Sequence, residues 1–399
     1  MRVLVHDFSG HPFQVELSRE LARRGHQVTH SYCPAWVSGK GRLEAEPGDT
    51  LVIEPVGPST PIAKDAFVKR VLVEARLGLQ LLGQVRRTRA DVAMLSNAQI
   101  PTLVVFALGM MLLRKRWVLW HQDVYAVAIK AFAGEKLGRG FRLVAAIFTI
   151  AERWVSRRAA AIVVIADSFV AVHAEWGTAG KTTVIPNWAP LDEIFPVDRA
   201  NSWSHEQGLD GERTLLYSGT LGLKHNPALL PKLAAAVRDA GTPVHLVVVN
   251  EGPAEAVLRE ESERLGVPLT LLPFQPYERL PEVLGSGDVL VVLLEQDAGA
   301  FSVPSKTLSY LCAGRPVLGF MPAENLASQL VGDADGCVLP PNDTSLQAAA
   351  AWVTEVLRDE EEAARIGKQS RALAEREFAL EGCADRFETI LAGASGRTR

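Results

Sequence analysis

Residues 302–317 place hydroxyls and a lysine at a predicted helix start that follows one apolar strand and precedes another. Ser302, Ser305 and Lys306 stand at the beginning of that helix. Hydroxyls can cap the free backbone N–H groups of a helix, the helix dipole attracts anions, and an ammonium group neutralises phosphate. The segment predicts a phosphate site, with an ordinary capped helix and a solvated lysine as the alternative.

A glycine-rich turn at residues 217–227 has the order strand, turn, helix. Gly219 and Gly222 would expose backbone N–H donors there, and Lys224 would supply a compact cation for a pyrophosphate. The GxxxxGK[ST] sequence of a Walker A loop is absent. The turn is therefore either a phosphate cradle or an ordinary strand-to-helix connection.

Two loops in the first half of the chain carry polar residues after a strand. Gly10 and His11 precede a helix whose N-terminus attracts anions or hydroxyl-rich ligands, and Gly10 allows close approach to the backbone. His121 and Asp123 follow an apolar strand at residues 117–120, so we expect His121 to face a cleft. A purely structural role is the alternative for each loop.

Apolar β-branched runs alternate with helical patterns along the chain, which predicts parallel sheets. The predicted strands are residues 3–5, 28–32, 91–95, 117–120, 161–165, 214–217, 244–249, 269–272, 289–294 and 317–320. A stretch rich in Pro, Asp, Asn and Ser at 187–204 is typical of a linker. The pattern indicates an α/β protein with two Rossmann-like domains, and ligands of such folds bind at the carboxyl ends of the strands.

Composition restricts the class of protein. The chain has 399 residues, of which 48% are hydrophobic and 22% charged, so it is folded and long enough for two domains. A net charge of −4 argues against a nucleic-acid-binding protein that relies on a global basic field. The four cysteines form no CxxC pair, and the chain begins as a strand and not as a signal peptide, so we expect a cytoplasmic protein.

An apolar stretch at residues 100–113 is too short for a membrane-spanning helix. It is followed by Arg114, Lys115 and Arg116. The stretch is therefore either a buried core helix or an interfacial helix that touches an anionic membrane surface.

Six segments, taken in order, resemble the retaining family 4 glycosyltransferases of GT-B architecture. They are residues 19–28, 184–188, 217–222, 250–253, 274–276 and 304–317. The chain most resembles the bacterial group that builds colanic-acid-like exopolysaccharides and O-antigens. The resemblance implies an acceptor-side domain at 1–195, a nucleotide-sugar donor domain at 205–375 with a cleft between the two, and a C-terminal helical segment at 376–399 that packs back on the first domain.

The resemblance also implies the reaction. A hexosyl or N-acetylhexosaminyl group would pass from a nucleotide diphosphate sugar to a lipid-linked sugar or glycan acceptor in cell-surface polysaccharide biosynthesis, with retention of configuration. Neither a cofactor nor a metal ion is required, and nucleic acid is not a partner. A nucleotide-sugar epimerase of the same architecture and a noncatalytic sugar-nucleotide-binding protein are the alternatives.

By the same resemblance, Phe274 and Gln275 would border the nucleobase, Lys224 and Lys306 the pyrophosphate, and His121 the transferred sugar. Gly10 and His11, with Asp123 nearby, would lie at the donor phosphates or the acceptor. The sequence departs from the family at Thr220, where arginine is usual, and at Phe301 and Ser309, where the family has two glutamates. Ser309 would then donate one hydrogen bond to the donor, and Lys306 would supply the charge missing at Thr220.

Overall fold

The computed structural model describes residues 1–35, 43–45, 50–59, 67–126, 139–222, 225–250, 253–298 and 303–396. The chain forms two compact units. Unit 1 comprises residues 1–187 together with the chain from Leu380 onward, and unit 2 comprises residues 188–379. Each unit is built on one parallel β-sheet, which confirms the predicted α/β class with two Rossmann-like domains.

The sheet of unit 1 has seven strands. They are β1 (Arg2–Asp7), β2 (Gln27–Tyr32), β3 (Leu51–Pro55), β4 (Val92–Ser96), β5 (Trp117–His121), β6 (Ala161–Val164) and β7 (Thr182–Val184). Their order is β3-β2-β1-β4-β5-β6-β7, so the direction in which strands are added reverses between β1 and β4. The central strands are buried along nearly their whole length, which explains their continuous apolar sequences.

Helices connect these parallel strands. They are α1 (Pro12–Arg23), α2 (Phe67–Arg87), α3 (Ile100–Leu112), α4 (Arg139–Arg158) and α5 (Asp167–Glu175), with a 3-10 turn at Ala179–Lys181. Each buries residues at helical spacing; α1, for example, buries Phe13, Leu17 and Leu21. Pro12 begins α1, at the position where a missing backbone N–H breaks no helical hydrogen bond.

Unit 2 repeats the alternation. Its elements are α6 (Ser202–Glu206), β8 (Thr214–Ser218), α7 (Leu229–Asp239), β9 (His245–Val249), α8 (Glu255–Leu265), β10 (Leu269–Leu272), α9 (Leu280–Gly285), β11 (Val289–Leu293), α10 (Lys306–Cys312), β12 (Val317–Phe320), α11 (Leu326–Asp333), β13 (Cys337–Leu339), α12 (Leu346–Arg358) and α13 (Glu360–Glu377), with 3-10 turns at Tyr277–Arg279, Gln296–Ala298 and Asp343–Ser345. The strand order is β10-β9-β8-β11-β12-β13, and its reversal lies between β8 and β11.

The last helix, α14 (Leu380–Ser395), belongs to unit 1 although the chain reaches it from unit 2. Phe387 is fully buried, with its ring centroid 4.5 Å from that of Trp120 on β5. Arg24, just after α1, reaches Asp385 at 2.6 Å and Glu388 at 3.1 Å. An aromatic contact and two ion pairs thus hold α14 against the first sheet.

The structure differs from the expected linker at residues 187–204. The chain from Trp188 belongs to unit 2, where Trp188 and Ile194 are buried. Arg371 of α13 donates hydrogen bonds to the carbonyl oxygens of Ile194 (2.9 Å) and Cys312 (3.0 Å). The stretch is rich in linker residues, yet long-range packing and hydrogen bonds incorporate it into unit 2.

Three strands were not predicted from the sequence, namely β3, β7 and β13. β7 and β13 are edge strands of three residues each, and all their residues are only half-buried. Strands that short and exposed give no apolar run, so the pattern that marks the central strands does not appear in them.

Burial of three histidines makes the stability of unit 1 depend on pH. Burial lowers the pKa of His6 to about 4 and the pKa values of His30 and His173 to about 3. An unfolded chain protonates histidine near pH 6.5. At these three histidines the unfolded state therefore binds more protons between about pH 6.5 and pH 4, and their contribution to the free energy of unfolding falls as the pH falls.

We predict that the melting temperature decreases as the pH is lowered from about 6.5 to about 4. His30→Gln removes one of the groups responsible and should flatten the curve of melting temperature against pH. His205→Gln changes a half-exposed ring and should leave a curve parallel to that of the wild type. Identical slopes for wild type and His30→Gln would contradict the prediction.

Candidate functional site

A buried tyrosine of α10 is hydrogen-bonded to the carboxyl end of β8. The Tyr310 hydroxyl accepts a hydrogen bond from the Ser218 backbone N–H (2.8 Å) and donates one to the Ser218 carbonyl oxygen (3.1 Å). Burial raises the pKa of Tyr310, so its hydroxyl stays protonated and able to donate. The strand end and the helix are therefore held in one fixed arrangement beside the strand reversal of unit 2.

Lys306, the first residue of α10, lies over this strand end. Its ammonium nitrogen is 5.1 Å from the centroid of the Tyr217 ring, which is within cation–π range. Gly219 has a φ of +147°, and a Cβ atom placed on it would lie 2.7 Å from Cε of Lys306. The two motifs predicted from separate stretches of sequence, at Gly219 and at Lys306, are thus brought together in unit 2.

Backbone donors of the glycine-rich turn are used within unit 2, contrary to the expectation that Gly219 and Gly222 expose them. The Gly219 N–H donates to the Val249 carbonyl oxygen at 2.9 Å, because it continues the pairing of β8 with β9. The Gly222 N–H donates to Nδ1 of His225 at 3.0 Å. Both N–H groups therefore already have hydrogen-bond partners within unit 2.

Thr220 is exposed, and hydrogen bonds hold the backbone at Thr220 and Leu221. The Tyr217 hydroxyl donates to the Thr220 carbonyl oxygen at 3.1 Å. Asn250, which follows β9, accepts a hydrogen bond from the Leu221 N–H at 2.8 Å. Glu295 lies two residues after β11 at the same sheet edge, and burial raises the pKa of its carboxyl group.

Ser305 does not form the cap on α10 that was predicted for it. Ser305 is exposed, and its φ of −58° and ψ of −26° are helical, so its hydroxyl makes no capping hydrogen bond. Ser309 is half-buried within α10. Ser302, Phe301 and Lys224 lie outside the described residues, and their predicted roles stay predictions.

Phe274 and Gln275 follow β10 at the carboxyl edge of the second sheet. Both side chains are half-buried. The Gln275 side chain accepts a hydrogen bond from Nε1 of Trp203 (3.1 Å) and donates to the Pro273 carbonyl oxygen (2.9 Å). The Gln275 amide thus attaches α6 to the loop after β10, and the nucleobase contact of Phe274 and Gln275 stays a prediction.

In unit 1 the loop between β1 and α1 is organised by Asp7, which is fully buried. Its carboxylate accepts hydrogen bonds from the backbone N–H groups of Ser9 (3.0 Å) and His11. Asn97, after β4, lies 3.1 Å from Nδ1 of His11. Burial raises the pKa of Asp7, and the nearby His11 opposes that shift. Gly10, at a φ of +74°, completes a loop at the strand reversal of unit 1.

His121 ends β5 as predicted, but its ring points into the interior of unit 1. The side chain is 4% exposed. Its Nε2 lies 3.0 Å from Oε1 of Glu152, and its Nδ1 lies 3.1 Å from Nε2 of His173. His173 in turn contacts the Thr178 hydroxyl at 3.0 Å. The expectation that His121 faces a cleft is wrong, because both ring nitrogens have buried partners.

Glu152 connects this network to the loop that carries Asp123. Its carboxylate accepts hydrogen bonds from the backbone N–H groups of Tyr125 (2.9 Å) and Ala126 (2.6 Å). Gln122 and Asn187 exchange hydrogen bonds of 3.0 and 2.6 Å between their side-chain amides. The loop after β5 is thus anchored from both sides, and Asp123 is half-buried within it.

Several of these organising residues were not identified from the sequence. Asp7 has a local signal, since an aspartate at a strand end followed two residues later by serine is typical of a side-chain-closed turn. Asn97 has a φ of +54°, a conformation that asparagine tolerates better than most residues. Glu152, His173 and Tyr310 have no such local signal, because each has a partner between 26 and 92 residues away.

We predict that Glu152→Ala lowers the free energy of unfolding by about 3–5 kcal/mol, because two backbone N–H groups and an imidazole lose a buried charged partner. Urea unfolding measures the change. Glu175→Ala, at an exposed glutamate on α5, is the matched control and should change stability by less than about 0.5 kcal/mol. Equal stability of the two variants would show that the Glu152 contacts contribute nothing.

We predict that Gly219→Ala destabilises unit 2 by about 1–3 kcal/mol, because alanine is strained at a φ of +147° and its methyl group displaces Lys306. Gly222→Ala is the control, since a Cβ atom there meets nothing within 4 Å. Thermal and denaturant unfolding of both variants measure the difference. A Gly219→Ala protein as stable as Gly222→Ala would contradict the arrangement.

Models of two protein families match the chain in succession. The model described as Glycosyltransferase Family 4 matches residues 13–193, and the model described as Glycosyl transferases group 1 matches residues 200–373. WcaI of Escherichia coli (strain K12), named as a colanic acid biosynthesis glycosyl transferase, is 26% identical over 390 residues, which are 90% of this chain and 92% of that protein. WbjE of Pseudomonas aeruginosa, named as a glycosyltransferase, is 25% identical over 65% of this chain and 64% of its own length.

Solved structures with the same fold include sucrose-phosphate synthase from Thermosynechococcus elongatus, with a TM-score of 0.71, 16% identity and full coverage of both chains. Anabaena HepE in complex with UDP and glucose gives a TM-score of 0.69 at 15% identity, covering 98% of this chain and 100% of that one. WaaG, a glycosyltransferase involved in lipopolysaccharide biosynthesis, gives 0.68 at 16% identity with the same coverage. The two matched families together span most of the chain, and the protein is a family 4 glycosyltransferase with the GT-B fold that resembles the colanic-acid and O-antigen enzymes.

Proposed function

We propose that the protein transfers a hexosyl or N-acetylhexosaminyl group from a nucleotide diphosphate sugar to a lipid-linked sugar or glycan, with retention of the anomeric configuration. The observation that carries the proposal is the position of Lys306 over Gly219, at the strand reversal of unit 2. A cation at that point of a doubly wound sheet suits a phosphate-containing ligand.

The donor diphosphate is proposed to lie at the carboxyl ends of β8 and β11. Lys306 would stabilise its charge as the bond to the sugar breaks, since a compact ammonium acts on phosphate as a point charge. Lys224 would contribute a second cation from the turn after β8. Ser309 and the backbone around Thr220 would complete the donor contacts, and Phe274 would border the nucleobase.

The acceptor is proposed to bind through unit 1. Gly10 and His11 stand at its strand reversal, and the His11 side chain is 29% exposed. Asp123 lies on the neighbouring loop after β5. His121 would act on the sugar only through the loop that it helps to hold, because its ring is buried against Glu152 and His173.

In the proposed front-face reaction, the leaving diphosphate accepts the proton of the acceptor hydroxyl as the new glycosidic bond forms on the same face of the sugar. The protein positions both partners and stabilises phosphate charge, and it provides no covalent nucleophile. We propose that cationic side chains supply this stabilisation without a metal ion or cofactor. Turnover that survives exhaustive chelation would support this view, and loss of turnover that Mg²⁺ restores would refute it.

The proposed pathway and acceptor class rest on the relatives. WcaI is named for colanic acid biosynthesis and WaaG for lipopolysaccharide biosynthesis. Incubation of donor alone separates the alternatives: epimerised donor would indicate an epimerase, and binding without hydrolysis or transfer to any acceptor would indicate a noncatalytic protein. A screen of UDP-, GDP- and dTDP-sugars by thermal stabilisation identifies the donor, since a ligand at 100 times its dissociation constant adds about 2.7 kcal/mol.

We predict that Lys306→Ala lowers turnover by on the order of 10²–10³, the usual effect of removing one preorganised charge contact to a leaving group. Lys224→Ala should have a similar effect, and the double variant should deviate from additivity by about 0.5–3 kcal/mol because the two lysines share one diphosphate. Lys368→Ala, at an exposed lysine on α13, is the control.

The rate of transfer from the identified donor measures the loss of turnover and its nonadditivity. The increase in melting temperature that the donor causes measures donor affinity in each variant. Normal donor affinity and turnover in Lys306→Ala and Lys224→Ala would place the diphosphate elsewhere.

A further inference from the structure

Exposed large hydrophobic side chains are concentrated on three helices of unit 1. Among the described residues twelve such side chains are exposed, and nine of them lie on α2, α3 and α4. We call these nine side chains the apolar surface; they are Val68, Leu72, Leu79, Leu108, Met111, Leu112, Leu143, Ile147 and Ile150. The most exposed, Leu112, has 85% of its surface in contact with solvent. Single exposed hydrophobics are ordinary, but a cluster of this kind marks an interaction site.

The nine side chains lie on neighbouring helices. α2 packs against α3, and α3 packs against α4. On α4 the exposed residues are spaced by four and three positions, and on α3 by three and one, so each set lies on one side of its helix. Other residues of the same helices, such as Leu81 of α2 and Phe106 of α3, are in the core. Each helix therefore has one apolar face in the protein and a second apolar face towards solvent.

This part of the molecule is also strongly basic. α2 and α4 contain ten Lys and Arg residues against two Glu, a net charge of +8 in a chain whose overall charge is −4. α3 has no charged residue, and Arg114, Lys115 and Arg116 follow it directly. The positive charge of the chain is thus concentrated on the helices that expose the apolar surface.

The two Glu residues of α2 and α4 add little negative charge to the surface of these helices. Glu152 is 1% exposed and holds the buried network of His121. Glu74 is largely buried and paired with Arg70 at 2.8 Å. Arg76 and Arg86, in contrast, are exposed. They fall on the side of α2 that carries Leu72 and Leu79, since 3.6 residues make one turn.

We propose that the apolar surface and its surrounding basic residues bind the face of an anionic lipid bilayer, with α2, α3 and α4 against the headgroups. Apolar side chains combined with a local excess of Lys and Arg are the combination that interfacial binding to anionic lipid requires. A second copy of the chain fits less well, because a symmetric contact would place one basic surface directly against another. No helix in the described ranges is long and apolar enough to cross a bilayer.

The same arrangement answers the question that the sequence left open at residues 100–113. α3 is a core helix through Leu103, Phe106 and Met110, and its last turn exposes Met111 and Leu112. The single interfacial helix considered from the sequence is therefore one part of a surface that α2 and α4 extend. Lipid binding goes beyond the proposed glycosyl transfer, and each can fail without the other.

Flotation of the full chain with vesicles tests the proposal. We expect recovery with phosphatidylcholine vesicles that contain phosphatidylglycerol, weaker recovery in high salt, and little recovery with phosphatidylcholine alone. The triple variant Leu72→Ser, Leu112→Ser, Ile147→Ser should reduce partitioning by at least about 100-fold. The matched control, Val52→Ser with Phe195→Ser and Val257→Ser, changes three exposed apolar residues outside the surface and should partition like the wild type.

A second triple variant tests the contribution of the basic residues to lipid binding. Arg76→Gln, Arg86→Gln and Arg116→Gln together should weaken binding to anionic vesicles by on the order of 100-fold. Arg259→Gln, Arg264→Gln and Arg376→Gln, at exposed arginines on α8 and α13, should not. All four variants should keep the melting temperature and the donor-induced stabilisation of the wild type.

Equal and negligible recovery of the wild type from both vesicle types would overturn the proposal. So would a concentration-dependent dimer in sedimentation that the triple serine variant abolishes, since a second copy would then occupy the surface. Normal donor stabilisation without lipid binding would refute membrane association alone, whereas lipid binding without donor stabilisation would refute the transferase proposal alone.

Discussion

In a parallel sheet each strand is followed by a crossover, so the chain leaves every strand of the sheet at the same edge. Both sheets of this protein are wholly parallel. All loops that follow the strands of a sheet are therefore neighbours, whatever their separation in sequence. In doubly wound folds, ligands generally bind at the strand reversals, which lie here between β1 and β4 and between β8 and β11. Most candidate site residues lie in these loops, and Lys306 and Ser309 lie in α10, the helix that follows β11.

Loops at that edge would be poorly ordered if their backbone groups depended on water alone. In this protein, side chains from other elements hold them. Tyr310 binds both backbone groups of Ser218, Asn250 binds the N–H of Leu221, and Glu152 binds the N–H groups of Tyr125 and Ala126. Each of these contacts joins a loop to a distant segment, so the loop geometry becomes part of the cooperative fold. When such a buried partner is removed, every group that it bound is left buried without a hydrogen bond. The free energy of unfolding then falls by the desolvation penalty of each of these groups.

Buried carboxylates, exposed arginines and the lysine of α10 lie in different parts of the fold. In unit 1, Asp7 and Glu152 are buried and accept hydrogen bonds from backbone donors, while Arg76 and Arg86 of α2 are exposed. In unit 2 a single lysine at the start of α10 lies over an aromatic ring, where its aliphatic chain packs and its ammonium group stays near the strand end. The proposed phosphate site would need one positioned cation, whereas the proposed lipid-binding surface would use a general excess of positive charge.

The sequence by itself determined the periodic features. Continuous apolar runs placed β1, β4, β5, β8 and β11 within about two residues of their observed bounds, and the positions of Gly219, Lys306 and His121 after or at the end of strands followed from those runs. Such features depend on local spacing, which one segment encodes alone. The three-residue edge strands β7 and β13 were missed because they are too short to show a period.

Only the tertiary structure decided which way the polar groups point and what they bind. In the folded chain the His121 ring points inward to Glu152 and His173. The Gly219 N–H pairs within the sheet, and the Gln275 side chain bonds to Trp203. The tertiary structure also showed that the exposed apolar residues of α2, α3 and α4 lie on helices that pack against one another. Each of these outcomes depends on partners tens of residues away, and burial of a polar group is settled by whether such a partner is present. A local pattern contains no information about that partner, so the orientation of these side chains could not be read from the sequence.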